Sequence, residues 1–407
     1  MSKQVDLMRL ADYSVGSMLC LLFSGLNSIL RLIFQGKDIV CPKKILFVKF
    51  SEIGSIVLAY PLLNRVKLEY PDAQIFFVTF KTSQPILEAL GLESRGKLMC
   101  INEKSMRSFI MDTVVIVKSL RRERIDACFG LEIFSSFAAA FIYACSIPKR
   151  ISFFPYNLRG IYLGNLLTHR VHYNPLIHIS RAYLSLLQTM KLDYKFTPDL
   201  SEDVDIHRNI LPRFVLSKTL KKNIWHKLCC HGVKNGSRLY LLNVGDGILP
   251  LREWPVRNFA ILARKFLEDA ENHIVLIGSE GGLMKSTLLC DYLKSERCVN
   301  LVAKTSLEEI LSLFSIAQAL IVNDSGLAHI ASLTEVKKFI LFGPESPLVY
   351  RPFGKRTWII YGNLPCSPCF SAFNFRKSSC NDNRCLKEIP PDMVYNLIMK
   401  HSPTCCR

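Results

Sequence analysis

Short apolar runs alternate with helix-length stretches twice along this chain, and no other property of the sequence restricts the fold as much. The first series begins at Lys43. Strand-like runs at 45–50 and 74–80 flank a helical stretch at 61–69, 126–131 is strand-like again, and 113–118 reads as helix or strand. The second series begins near Arg238. Runs at 239–244, 273–278, 319–322 and 338–342 read as strands, and 256–268 and 307–315 read as helices. Strands separated by helices need crossover connections, so the alternation predicts parallel sheets with helices on both faces. The stretch between the two series, 197–237, is polar and lacks strand runs. It is expected to connect two α/β domains. No solenoid-length repeat and no low-complexity tract interrupts either series.

Composition narrows the function classes. The 407 residues suggest two or three domains at roughly 150 residues each. Hydrophobic residues make up 49%, too many for a disordered chain. The 15 cysteines are too scattered for a small disulfide scaffold. Lys plus Arg number 52 and Asp plus Glu 34, so 52 − 34 leaves a net charge of +18. That excess suggests an anionic partner: a nucleic acid, an anionic membrane face or a phosphorylated substrate.

The N-terminal segment has its own character. Residues 13–30 carry no charged side chain, the lower length limit for a membrane span. Ser24, Asn27, Ser28, Arg31 and Gln35 recur at helical spacing, and Leu19, Leu22, Leu26, Ile29 and Ile33 form the opposite stripe. The pattern predicts an amphipathic helix lying in a membrane interface. A helix packed on the protein and a span or signal anchor are the alternatives. No small-residue cleavage site clearly follows, so the segment is not read as a signal peptide.

Several motifs fall at strand ends. The first strand runs into Ser51-Glu52-Ile53-Gly54-Ser55 ahead of a helix. A Gly there lets the backbone approach a ligand, and the helix N-terminus favours anions. Most βα turns contain a Gly, so alone this says little. A sharper motif, Asn323-Asp324-Ser325-Gly326-Leu327-Ala328-His329, follows the run at 319–322. Asp324 or Ser325 is expected to cap the next helix, at the carboxyl end of a parallel strand where ligands bind. The backbone N–H groups of Ser325, Gly326 and Leu327 suit a diphosphate, and His329 adds a hydrogen bond or charge. The plain alternative is a well-capped helix with a core histidine. Arg252, ahead of Trp254-Pro255, follows the strand exit at 245–247 and suits a phosphate, although loop cations are commonly solvated. Glu280, in Gly278-Ser279-Glu280-Gly281-Gly282, is a candidate for a ribose or an exposed loop acid.

These residues together resemble glycosyltransferase family 9, which includes the ADP-heptose:lipopolysaccharide heptosyltransferases. The resemblance starts in Lys44-Ile45-Leu46-Phe47-Val48-Lys49 and continues through Pro61-Leu62-Leu63 and Tyr70-Pro71-Asp72-Ala73. It includes Tyr240-Leu241-Leu242-Asn243, Arg252-Glu253-Trp254-Pro255 and Ser306-Leu307-Glu308-Glu309-Ile310. It closes with 323–331 and Leu341-Phe342-Gly343-Pro344, with the motifs in order from about 43 to 352. It implies an α/β GT-B fold, two Rossmann-like domains facing across a cleft. It implies an inverting transfer without a required metal or other cofactor. Carried over residue by residue, it gives Asp324, Ser325, Gly326, Leu327 and His329 to the donor's diphosphate and sugar. Arg252 falls where the family carries a phosphate-binding Lys, and Glu280 falls near a ribose-binding acid.

One position departs from the family. The turn there usually reads Gly-Asp, and the Asp is the proposed general base. Here Gly54 is followed by Ser55. An unassisted hydroxyl has no pKa suited to base work at neutral pH. Glu52, on the same turn, is the candidate substitute. The alternative is that Glu52 only caps the helix and the chain binds a nucleotide sugar or a partner protein without turnover.

Near the C-terminus stand Cys366, Cys369, Cys380 and Cys385. Their spacing suits a structural zinc, with free thiols, two disulfides or an iron–sulfur cluster left open. Cys405 and Cys406 are assigned nothing. The expected organisation is an amphipathic N-terminal segment (1–42), an acceptor domain (43–200), a nucleotide-sugar domain (201–360) and a Cys-bearing tail with a helix (361–407). The resemblance implies transfer of heptose from ADP-heptose to a lipopolysaccharide core or related glycan. The enzyme would sit peripherally on the cytoplasmic face of a bacterial inner membrane. The +18 charge then serves a diphosphate donor, a phosphorylated glycolipid and an anionic membrane. The clusters 118–124 and Lys149-Arg150 would place basic charge in the acceptor domain. No RNA- or DNA-binding motif accompanies it, so no nucleic-acid partner is expected.

Overall fold

The structure, a computed structural model, describes residues 12–33, 41–50, 52–92, 96–156, 162–191, 204–208, 210–245 and 249–401. Gln35, Ser51, Gly247, Cys405, Cys406 and the stretch 197–203 of the expected connection lie outside these described residues. The chain divides into two compact units, Lys3–Asp205 and Ile206–Arg407.

In the N-terminal unit, a turn at Asp12–Gly16 leads into α1 (Ser17–Ile33). The body then runs β1 (Lys44–Val48), α2 (Ile53–Leu58), α3 (Tyr60–Glu69), β2 (Gln74–Phe80), α4 (Gln84–Ala89), β3 (Gly96–Ile101) and α5 (Met106–Glu123). It continues through β4 (Ala127–Gly130), α6 (Ser136–Ala144), β5 (Lys149–Phe153), β6 (His169–Val171) and α7 (Ile179–Lys191). The strands form one parallel sheet in the order β3-β2-β1-β4-β5-β6. This is the doubly wound order, with its reversal between β1 and β4.

Burial on both faces explains the near-continuous apolar strands. On one face, Leu46, Val48, Phe76 and Val78 meet Ile116 and Leu120 of α5 and Phe141 and Ile142 of α6. On the other, Phe47 stacks between Phe129 at 5.2 Å and Phe77 at 6.2 Å. The ambiguous 113–118 stretch is the middle of α5. Its β-branched run suggests a strand, but the buried pair Ile116 and Leu120 follows helical spacing, and Ser105 caps the start by accepting from Ser108 N at 3.1 Å.

The C-terminal unit repeats the plan. It contains α8 (Lys218–Cys229), β7 (Arg238–Asn243), α9 (Val256–Leu267), β8 (Asn272–Leu276), α10 (Leu283–Leu293), β9 (Cys298–Asn300) and α11 (Leu307–Ile316). Then follow β10 (Ala319–Asn323), α12 (Gly326–Ile330), β11 (Lys337–Phe342), α13 (Pro347–Tyr350), β12 (Thr357–Tyr361), α14 (Arg384–Lys387) and α15 (Pro391–His401). The parallel order is β12-β11-β10-β7-β8-β9. Residues of α9, α10 and α15 share one core with β7, β8, β10 and β11. The expected connection is not all loop: Ser217 caps α8, which buries Ile224 and Leu228.

One expectation is sharpened here and one corrected. The stripes of α1 are real, but the polar one faces the protein. Ser24 and Asn27 are buried, and Asn165 holds that side, donating to Ser28 Oγ at 2.9 Å and accepting from Asn27 Nδ2 at 2.9 Å. Leu22 and Ile29 remain 61% and 58% exposed. Side-chain amides find fixed partners in the neighbouring loop, so the inward face is held by hydrogen bonds beside an apolar contact of Leu19, Cys20 and Phe23. No described helix is long and apolar enough to cross a membrane. Second, Lys149 and Arg150 form no surface cluster. Both lie in β5, where Arg150 is buried and donates to Leu166 O, and Lys149 donates to Met190 O at 2.9 Å.

Candidate functional site

In the C-terminal unit the site grows from the carboxyl ends of β7 and β10. Asn323 ends β10, and its Oδ1 accepts from Trp254 N at 2.9 Å, which draws the 250–255 loop onto the strand end. Arg252 thereby comes beside Asp324 and donates from Nη2 to Asp324 Oδ2 at 2.6 Å. Asp324 is buried, and only 18% of the Arg252 side chain is exposed. Burial raises the Asp324 pKa, and the guanidinium offsets only part of that rise. Burial opposes the Arg252 charge, but Asp324 and then Glu345 outweigh it and raise the guanidinium pKa.

Beyond this pair the surface opens. Ser325, Gly326 and Leu327 are half-exposed at the start of α12, and His329 is buried one turn further on. Ser325 occupies the N-cap position, as expected, but its side chain makes no capping bond. Among the described residues, Asn243 Oδ1, Arg252 Nε, Asn323 Nδ2 and Ser325 Oγ are buried without a hydrogen-bond partner. Buried polar atoms are ordinarily paired, so four orphans around two strand ends suit a polar ligand. Glu280 is exposed in the turn after β8. That turn reaches the β7 loop closely: a Cβ at Gly282 would come within 2.7 Å of Gly245 O. Gly245 itself has φ +117 and no room for a side chain beside Glu253.

The tail supports this loop. Asn383 donates to Glu253 O at 2.8 Å, and Trp254 Nε1 donates to Ile389 O at 3.1 Å. Cys366, Cys369 and Cys380 lie near enough to Cys385 to raise its pKa, but no group of three side chains placed to hold a metal forms among the described residues. Cys385 is buried against Gly343, whereas Cys366 and Cys380 are exposed and Cys380 Sγ donates to Asp382 O at 3.0 Å. The zinc expectation therefore finds no support in this arrangement.

In the N-terminal unit the carboxyl ends of β1 and β4 carry a second cluster. Glu52 precedes α2 with φ 67, a left-handed conformation that costs a side-chain-bearing residue of order 1 kcal/mol or more. Ser55, buried, donates from Oγ to Glu52 Oε2 at 2.8 Å. Gly54 is buried between them in α2. Lys49 lies 3.9 Å from Glu52 and 2.7 Å from Glu132. Glu132 also accepts from Phe50 N at 2.7 Å, so it is fixed in the fold, whereas the Glu52 side chain remains 38% exposed. Burial, then the charges of Glu132 and Tyr173, push the nearby Tyr183 phenol far up, and a hydrogen bond with Ser55 offsets little of it.

Sequence reasoning missed Glu132, Glu345 and Arg376. Glu345 is fully buried directly after Gly343-Pro344 and pairs with Arg376 at 2.8 Å. An acid following a strand-end Gly-Pro turn was the available signal. Glu132 and Arg376 gave none, because their partners are distant in sequence.

Comparison with known proteins adds to this geometry. A family model described as glycosyltransferase family 9 (heptosyltransferase) matches residues 114–378. Lipooligosaccharide heptosyltransferase 2 of Haemophilus ducreyi is 27% identical over 330 residues, 78% of this chain and 88% of that protein. Lipopolysaccharide heptosyltransferase 2 of Salmonella typhimurium is 25% identical, over 78% of this chain and 87% of its own length. The solved structure of Escherichia coli ADP-heptose LPS heptosyltransferase II superposes with a TM-score of 0.69 at 20% identity, covering 89% of this chain and all of that one.

Proposed function

The chain belongs to glycosyltransferase family 9, and from that premise we propose that it transfers a heptosyl group from ADP-heptose to the core of a lipopolysaccharide or lipooligosaccharide. The GT-B fold supplies the two Rossmann-like domains such a transfer uses. The relatives named as heptosyltransferase 2 support the sugar and the acceptor class. The observation that carries the reading is the Arg252–Asp324 pair beside the orphaned polar atoms of Asn243, Asn323 and Ser325.

In this reading the C-terminal unit holds the donor. Arg252, with the backbone N–H groups of Ser325, Gly326 and Leu327, binds the diphosphate, and the charge that develops on the departing ADP is met by fixed donors. Asp324 and His329 contact the sugar, and Glu280 takes the ribose hydroxyls. In the N-terminal unit Glu52 accepts the proton of the acceptor hydroxyl. The freed oxygen attacks the anomeric carbon, the carbon–oxygen bond to ADP breaks, and the configuration inverts. Ser55 holds the carboxylate by donating to Glu52 Oε2. A glycolipid acceptor places the reaction at a membrane, on its cytoplasmic face where nucleotide sugars are found.

The absent Asp motivates a second reading, binding without turnover, but a carboxylate already sits on the same turn. The decisive assay follows ADP release from ADP-heptose with a heptose-deficient core oligosaccharide as acceptor. Release that depends on that acceptor supports the reading. Tight ADP-heptose binding with no release under any acceptor supports the second instead.

A further inference from the structure

We propose that the outward faces of α1 and α5 together form a docking surface for an anionic lipid bilayer. This goes beyond the transfer reaction and holds whichever sugar is moved. It starts from a reversal. An amphipathic helix on a water-soluble domain ordinarily turns its apolar stripe inward. Here much of the apolar stripe of α1 faces out: Ser24, Asn27 and Ser28 bind the protein through Asn165, beside an inner contact of Leu19, Cys20 and Phe23, and Met18, Leu22, Leu26 and Ile29 point outward.

The second helix belongs to the Rossmann-like body itself. On α5, Met106, Ile110, Met111, Val114 and Val115 are all exposed, between 46% and 67%. Single exposed apolar side chains are ordinary, but a whole helical face is not. Arg107, Lys118, Arg121 and Arg122 are exposed at the same helical spacing. Apolar groups in the centre with cations toward the ends describe a helix lying in the plane of an anionic interface.

Both helices lie on one side of the unit. Residues of α5 and α6 cover the same sheet face, and Phe109 of α5 packs on Phe137 of α6 at 5.2 Å. The inner side of α1 packs on α6 through Cys20, Ala139 and Ala140. Charge complementarity selects the occupant. The outward residues of α1 offer no acid to a protein partner, and those of α5 offer cations. Aliphatic insertion plus a basic patch supplies the two signals that stable bilayer attachment requires.

The test uses the full chain in vesicle flotation. Phosphatidylglycerol–phosphatidylethanolamine vesicles are compared with phosphatidylcholine alone. The wild type should float with the first and much less with the second. Leu22→Glu with Ile29→Glu, and separately Ile110→Glu with Val114→Glu, should each weaken partitioning by about tenfold or more. Lys118→Glu with Arg122→Glu should abolish the preference for phosphatidylglycerol. Thermal melting confirms that each variant folds, and ADP release with a soluble, deacylated acceptor should match the wild type. A failure of the transfer reading would thus show in that assay and not in flotation. Wild-type flotation of the α5 variants overturns the proposal. So does a stable dimer in lipid-free buffer that these substitutions dissociate, because a second copy would then cover the face.

Discussion

Ser55 Oγ donates to Glu52 Oε2 at 2.8 Å, and this direction of donation assigns their roles. A hydroxyl that gives its proton to a carboxylate orients it and cannot serve as the base beside it. Glu52→Gln should therefore lower kcat by roughly 10²–10⁴-fold while leaving the donor KM nearly unchanged, the range for a lost general base. Ser55→Ala should cost far less, about tenfold, because the carboxylate stays but is less well placed. Initial rates over a range of ADP-heptose concentrations check both, and near wild-type turnover in Glu52→Gln would remove it from the role.

Arg252 should behave differently, because its partner is buried. Removing one member of a buried ion pair leaves the other uncompensated, at about 3–5 kcal/mol. Arg252→Met should thus lower the melting temperature as well as weaken ADP binding. The double variant Arg252→Met with Asp324→Asn should regain much of the stability but none of the ADP affinity. Calorimetric melting and ADP titration separate the two effects. Stability lost equally in both variants would deny that the ion pair is the cause.

The sheets were legible because parallel strands buried on both faces read as uninterrupted apolar runs, as in 45–48 and 319–322. Shorter or edge strands escaped. Cys298–Asn300 is three residues long, and Thr357–Tyr361 lies at a sheet edge where Trp358, Ile359 and Tyr361 stay half-exposed. The donor-side motif was legible because 323–329 is contiguous. The ion pair inside it was not, since Arg252 and Asp324 are brought together only when Trp254 N bonds to Asn323. The stripes of α1 were equally plain, but a stripe does not say which side faces the protein. That was decided by Asn165, more than a hundred residues away in the chain.

Lys338 gives a pH-dependent prediction. It is 2% exposed, and burial lowers its pKa to about 7 from 10.5, with Glu335 raising and Arg351 lowering it. Arg213, Lys355 and Arg356 line the same cavity. Between pH 7 and 10.5 the unfolded chain binds a proton there that the folded chain does not, so stability rises with pH through that window. Below it the buried amine must be charged, at roughly 5 kcal/mol. Lys338→Met keeps the volume, and Phe353 O retains its bond from Thr357. The variant should be more stable than wild type near pH 6 and nearly equal near pH 10. Chemical denaturation at both values checks this, and a pH-independent difference would refute it.

The tail cysteines make the last prediction, which bears on the zinc expectation. Burial, with the neighbouring thiols adding to it, pushes the Cys385 pKa to about 11, so it is a thiol at neutral pH packed against Gly343. Cys366 and Cys380 are exposed. In the native protein, Cys366 and Cys380 should react quickly with a disulfide reagent, because the reacting species is an accessible thiolate. Cys385 should react only on unfolding. Chelator treatment should leave both the reaction pattern and the melting temperature unchanged. A structural zinc held by Cys366, Cys369, Cys380 and Cys385 would reverse every term: all four protected together, zinc released on thiol modification, and a melting temperature that falls with chelation.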